Sequence, residues 1–145
     1  MFKSIVMGTD GSDTAREALR QAADLARTTG ATLRLVSAYR PVDDARLRRE
    51  RQDVPDDLKW MINPREDVDN LLKDAADSVE GVETEIFTRE GDPADAILDV
   101  AEEQGADLIV VGNKGMTGAS RFVLGSVPNK VSHHAPCSVM IIRTT

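Results

Sequence analysis

Leu108-Ile109-Val110-Val111-Gly112-Asn113-Lys114-Gly115 joins the most apolar run of the chain to a glycine turn, and Gly125-Ser126 follows after nine intervening residues. A short β-branched run that ends in glycines and leads into a helix is how many α/β proteins present backbone N–H groups to a phosphate chain. The stretch therefore reads as a nucleotide-phosphate loop. It contains neither G-x-x-x-x-G-K-[ST] nor G-x-G-x-x-G, so it is not a P-loop or a dinucleotide fingerprint.

Downstream of this loop a helix is expected from Ser126 to about His133, and Ser138 to Ile142 (SVMII) closes a sheet. Upstream, Gly91-Asp92-Pro93 marks a helix start, with Asp92 as cap and Pro93 at the first helical position. Ala94, Ile97, Leu98 and Ala101 form its apolar stripe and Gly105 stops it. Val82 to Thr88 (VETEIFT) alternates apolar and polar side chains, which suits a strand nearer the sheet edge. Glu66 to Val79 has helical spacing through Val68, Leu71, Leu72, Ala75 and Val79. At the other end, Phe2 to Gly8 (FKSIVMG) suits a buried first strand and Thr9-Asp10-Gly11-Ser12 a turn. Ala15, Ala18, Leu19, Ala22, Leu25 and Ala26 then make Asp13 to Thr29 an amphipathic helix, capped by Ser12 or Asp13 and stopped by Gly30.

Thr32 to Ala38 reads as the second strand. Arg40 to Asn63 breaks the rhythm. It is polar and charged and is punctuated by Pro41, Pro55 and the following Pro64, so it reads as an excursion with a helix expected around Ala45 to Gln52. Trp60 and Met61 would anchor it to the core; a lid over a ligand is the alternative. Strand–helix–strand units without hairpin turns imply right-handed parallel crossovers. The sequence predicts a single-domain α/β fold over residues 1–145, a doubly wound five-stranded parallel sheet with helices on both faces.

The 145 residues carry 18 basic and 25 acidic side chains, unevenly placed. No acid follows Asp107, so Lys114, Arg121, Lys130 and Arg143 leave the last 38 residues at +4 and, with −7 overall, the first 107 at −11. An acidic protein repels polyanions, which argues against nucleic acid as the main partner. The acid-free tract surrounds the glycine turn, where a small polyphosphate would need it. A buried strand lacks charge in any case, which accounts for Val139 to Ile142 but not for the loop. The lone Cys137 can form no internal disulfide, and neither a signal peptide nor a bilayer-spanning apolar run is present, so no membrane partner is expected and the cytoplasm is the expected address.

In an open parallel sheet, ligands bind beyond the carboxyl ends of the strands where the winding reverses. Three loops matter there: Thr9-Asp10 after the first strand, Ser37-Ala38 at the end of the second, and the glycine turn after the fourth. Gly112 and Gly115 let the backbone approach a phosphate, and Ser126 adds a hydroxyl and a helix N-terminus. Asp10, an acceptor only, would suit ribose hydroxyls or a bound Mg²⁺. Spacing alone equally allows it to support the turn or cap the first helix. His133, His134 and Cys137 offer two ligands in an H-x-x-C pattern, but no second pair exists in the chain, so no metal site is expected.

GTDGS at 8–12, GDPADAIL at 91–98, ADLIVVGNKG at 106–115 and GSVPNKVSHHAPCSVMII at 125–142 closely resemble the universal stress protein family. The resemblance covers nearly the whole chain apart from the 40–63 excursion, where that family varies most. Its ATP-binding members share G-x2-G-x9-G-[ST], which is complete here in Gly112, Gly115, Gly125 and Ser126. The resemblance implies a Rossmann-like fold of the adenine-nucleotide α-hydrolase type, with ATP as ligand. It places the phosphates against Gly112, Gly115, Gly125 and the Ser126 hydroxyl, with the Val127 amide as a further donor. It also places Thr9 and Asp10 beside the adenosine, and Ala38 and Val111 against the adenine. Pro128 departs from the family's pattern but suits the first turn of a helix. Lys114 is placed to meet a phosphate; for Arg121 solvated surface charge is the simpler account. The family also has a similar H-A-P-C turn, which accounts for His134 and Cys137 without a metal.

The expected function is thus an ATP-binding stress-response or regulatory protein, with no general base or arginine finger evident for rapid hydrolysis. A nucleotidylyltransferase or pyrophosphatase on a related scaffold would show H-x-G-H or S-G-G-x-D-S near the first strand, where this chain has T-D-G-S; an α/β-hydrolase would show G-x-S-x-G. A nucleotide-free assembly module is the third reading. The apolar final strand, at a sheet edge, is a hazard unless paired. Val139, Met140, Ile141 and Ile142 are therefore expected to join the same strand of a second copy in a homodimer, as the resemblance also implies. The acids are mostly Asp (16 against 9 Glu) and Arg outnumbers Lys 13 to 5, a balance suited to solubility at high salt. If that composition reflects a saline habitat, the thermal midpoint should fall as salt is removed; full stability at low salt would count against it.

Overall fold

The computed structural model describes residues 1–40, 64–113 and 124–144. Nine elements follow in the order β1 (Ser4–Gly8), α1 (Asp13–Thr29), β2 (Thr32–Tyr39), α2 (Pro64–Asp77), β3 (Thr84–Glu90), α3 (Pro93–Glu103), β4 (Leu108–Gly112), α4 (Ser126–His134) and β5 (Ser138–Ile142). The five strands form one parallel sheet in the order β3-β2-β1-β4-β5, the doubly wound arrangement expected. Winding runs outward from β1 through β2 to β3, then returns across β1 to β4 and β5.

Successive side chains of a strand point to opposite faces, and both faces are apolar. Ile5 and Met7 join Leu33, Leu35, Leu108 and Val110 beneath α1 and α2. Val6 joins Val36, Ile109 and Val111 beneath α3 and α4. Two cores result, one on each face of the central strands. At the base of the sheet the Asp107 carboxylate accepts the amides of Lys3 (2.8 Å) and Ser4 (3.1 Å), while its own amide donates to the Ser4 carbonyl (3.0 Å). These bonds place the start of β1 beside the start of β4 and set the register Ile5 to Leu108.

Local signals fix α1 at the boundaries the sequence predicts. The Ser12 hydroxyl accepts the Ala15 amide (3.2 Å), and Gly30, at φ 73°, turns the chain out of the helix in a left-handed conformation that glycine adopts without penalty. Ala18, Ala22, Ala23 and Ala26 give it a flat buried face against the sheet.

β1 begins at Ser4 rather than Phe2, and two elements are displaced by two residues at both ends. α2 runs Pro64–Asp77 rather than Glu66–Val79, because Pro64 serves in a helical first turn, where its missing N–H costs nothing. β3 runs Thr84–Glu90 rather than Val82–Thr88; its register is set by β2, from Leu33 opposite Thr84 to Tyr39 opposite Glu90. β3 does lie at an edge. The helix expected at 45–52 and the anchoring role of Trp60 and Met61 lie outside the described residues.

α3 begins as expected, with the Asp92 carboxylate accepting the Asp95 amide (3.1 Å) and Pro93 in the first turn. Lys130 of α4 then reaches Asp95 (2.8 Å) and Asp92 (3.5 Å), tying the two helices of that face together. The Asp95 amide, and after it the Lys130 charge, hold the Asp92 carboxyl below the usual aspartate range. A carboxyl with a depressed folded-state pKa stabilises the fold above its unfolded pKa, and that stabilisation fades as pH falls through the folded value. Asp92→Ala should cost about 1 kcal/mol at neutral pH, the ordinary value of a helix cap. In urea titrations the difference from wild type should shrink as pH drops below about 3.9; a pH-independent difference would contradict the cap.

Candidate functional site

The winding reverses between β1 and β4, and a cleft opens there at the carboxyl ends of the strands. Gly8, Thr9 and Asp10 form one wall and Val111, Gly112 and Val127 the other; Ser12, Thr14 and Thr144 add hydroxyls. Of the residues singled out in the sequence, Thr9, Asp10, Val111, Gly112 and Val127 thus share one space. Gly125 is buried at the cap of α4 and Ser126 is exposed at its first position. Ala38 stands at the end of β2, beyond β1, packed against the core beneath α3 and α4 rather than in the wall of the cleft. Lys114 and Gly115, with Arg121, lie outside the described residues.

Each wall has a local cause. Thr9 is buried, its amide donating to the Val36 carbonyl (2.9 Å), so the turn after β1 is anchored to β2. Its hydroxyl accepts the Gly11 amide (3.2 Å) and the Asp10 carboxylate accepts the Ser12 amide (2.9 Å). Asp10 therefore supports the turn, the role that spacing left open. A carboxylate has about four acceptor positions, so one such bond leaves capacity for a ligand. Gly11 adopts φ +76°, and a Cβ there would come within 2.7 Å of the Leu71 side chain, so α2 packs directly on the turn.

Gly112 is different. Among the described residues, a Cβ added to it meets nothing within 4 Å, and its φ is not in the left-handed region. Nothing in the described residues demands glycine there; close approach of a ligand would.

At α4 the first-turn amides have no intrahelical acceptors. Gly125 brings no side chain to cap them, Pro128 has no N–H, and Ser126 and Val127 open the helix. The first helical bond runs from Asn129 to the Gly125 carbonyl (3.0 Å). Asn113, Thr14 and Thr144 were not expected at the site from the sequence, and Ser12 was expected only as the cap of α1. The Asn113 carbonyl accepts the Gly125 amide (3.0 Å), which returns the chain to the end of β4.

The charge argument needs one correction. Lys130 belongs to the acid-free tract, yet it pairs with Asp95 and Asp92, and the Asp95 contact chiefly raises its pKa. Its charge is directed at α3. The described residues that line the cleft include no lysine or arginine.

A larger groove of about 1140 Å³ runs between α1 and α2, lined in part by Arg16, Asp67, Asn70 and Asp74. Its two carboxylates suit it poorly to a phosphate, so chemistry rather than size selects the cleft. Burial, and secondarily Asp107, push the Cys137 thiol up, which disfavours the thiolate a metal would need. Among the described residues no three His, Cys, Asp or Glu side chains gather as a metal set, and no helix is long and apolar enough to cross a membrane.

A parallel sheet wound both ways from its central strand, with a cleft at the reversal, defines a Rossmann-like α/β protein. Comparison with known proteins makes the class particular. The model of the universal stress protein family matches residues 1–143, and the chain belongs to that family. A universal stress protein of Mycobacterium tuberculosis is 35% identical over 148 residues, covering 99% of this chain and 98% of its own length. One from Thermus aquaticus is 37% identical over 144 residues, covering 99% and 100%. Among solved structures, a universal stress protein in complex with cAMP superposes with a TM-score of 0.72 at 28% identity, covering 99% of this chain and 98% of its own. The universal stress protein from Archaeoglobus fulgidus in complex with dAMP gives 0.66 at 28% identity, covering 97% of both chains.

Proposed function

We propose that this chain is an ATP-binding universal stress protein whose nucleotide occupancy changes its conformation or its partners. The observation that carries the reading is Gly112, at the end of β4 and in the cleft with Val127 of α4: among the described residues nothing crowds an added Cβ or calls for glycine there. Two relatives of the same fold were solved with adenine nucleotides, cAMP and dAMP. In this reading Thr9, Asp10 and Val111 hold the adenosine in the cleft, the adenine reaches beyond its wall to Ala38 at the end of β2, and Gly112, Lys114, Gly115, Gly125, Ser126 and Val127 hold the phosphates. Asp10 takes the ribose or an accompanying Mg²⁺.

Magnitudes favour a site built from many backbone donors. A helix N-terminus contributes about 0.3–2 kcal/mol toward an anion, whereas micromolar affinity needs about 8 kcal/mol. Burial of the adenine against Val111 and the amides of the glycine turn would supply the remainder. Asp10 is the one titratable side chain among the described residues of the cleft, and its carboxylate already accepts a turn amide, which supports binding without rapid hydrolysis.

The assembly is proposed to be a homodimer through β5. That strand is an edge, with Met140 and Ile141 exposed by 37% and 39%, and unpaired apolar edges invite a partner strand.

Two outcomes follow. In calorimetry, wild type should bind ATP, and Gly125→Val should weaken binding at least about tenfold, or 1.4 kcal/mol. The helix should survive, since Gly125 sits at φ −61° and ψ 163°, which valine adopts freely; unchanged affinity would end the proposal. In light scattering, wild type should show twice the 15.8 kDa chain mass and Ile141→Lys a single chain; a wild-type monomer would remove the β5 interface.

A further inference from the structure

Asn113 joins three segments that the sequence keeps apart. Its amide donates to the Ile142 carbonyl at the end of β5 (2.9 Å), and its carbonyl accepts the amide of Gly125, the cap of α4 (3.0 Å). Any residue could make these two bonds. The third contact requires a side-chain acceptor: the Asn113 Oδ1 accepts both the Thr144 amide (2.9 Å) and the Thr144 hydroxyl (3.2 Å). Because a backbone N–H can only donate, the Thr144 amide fixes which end of the Asn113 amide group faces it. The contacts are part-buried, and Thr144 itself lines the cleft beside Gly112 and Val127. The tail after β5 is thereby folded back as a wall of the cleft, held by the residue that also returns Gly125 to the end of β4.

We propose that Asn113 is a positioning residue for the phosphate end of the site. It pins Thr144 as a wall and holds Gly125, the cap of α4, at the end of β4. The inference rests on the nucleotide reading above and deepens it. It predicts a selective effect, because the clamp touches the half of the site that meets phosphates and leaves the Thr9-Asp10 turn untouched.

The test compares ATP with adenosine by calorimetry on the full chain. Asn113→Leu, of similar size without the acceptor, should weaken ATP about tenfold and change adenosine less than about twofold, a lost hydrogen bond being worth roughly that factor. Thr144→Val should weaken ATP by about threefold and Thr144→Ser should restore wild-type affinity, because the hydroxyl donor returns. The Thr144 pair keeps the proposal falsifiable should Asn113→Leu fail to fold. Equal losses for ATP and adenosine, or no loss for either, would overturn the clamp while leaving wild-type ATP binding intact. A wild-type chain that binds adenosine but not ATP, or binds neither, would overturn the nucleotide reading and the clamp with it.

Discussion

The pairing of β1 with β4 is the constraint on which the rest of the molecule depends. Three bonds between Asp107 and the Lys3–Ser4 backbone fix where the two strands meet, but each is worth only about 1 kcal/mol net. Ile5, Val6, Met7, Ile109 and Val110 are fully buried, and each such side chain contributes about 1.5–3 kcal/mol. Burial holds the strands together and the polar bonds choose the register. Because β1 also pairs with β2, the winding must reverse at this seam, and helices leave to opposite faces. The cleft is a consequence of that divergence, so its position follows from the same pairing that makes the core.

Much of this was legible in the sequence, unequally. Where a boundary is written in one or two residues it was read correctly: Ser12 and Gly30 for α1, Asp92 and Pro93 for α3. Where a boundary depends on a partner strand it shifted, as with β3, whose limits follow β2 rather than its own alternation. In the cleft, Thr9, Asp10 and Gly112 were readable because each adjoins the end of a strand, whereas Val111 and Val127 came from the family resemblance. Asn113 and Thr144 were not, because they meet only after β4 and β5 have paired, with Gly112 opposite Ile142. No local spacing encodes that meeting.

Lys130 shows how linear charge patterning misleads. It counts toward the positive charge of the acid-free tract around the glycine turn, yet the fold hands it to Asp92 and Asp95 at the start of a neighbouring helix. The anion preference argued for the cleft therefore rests on backbone dipoles, which geometry fixes more firmly than long cationic side chains. Under the proposed function the glycines would govern how closely a ligand approaches those amides.

The central claim is that the seam between β1 and β4 holds ATP with its phosphates on the start of α4. A crystal structure of the chain grown with ATP tests it most directly. The account predicts adenosine beside Thr9 and Asp10 and phosphate oxygens within hydrogen-bond distance of the Ser126 and Val127 amides. Nucleotide lying instead in the groove between α1 and α2, against Arg16 and Asn70, would contradict it.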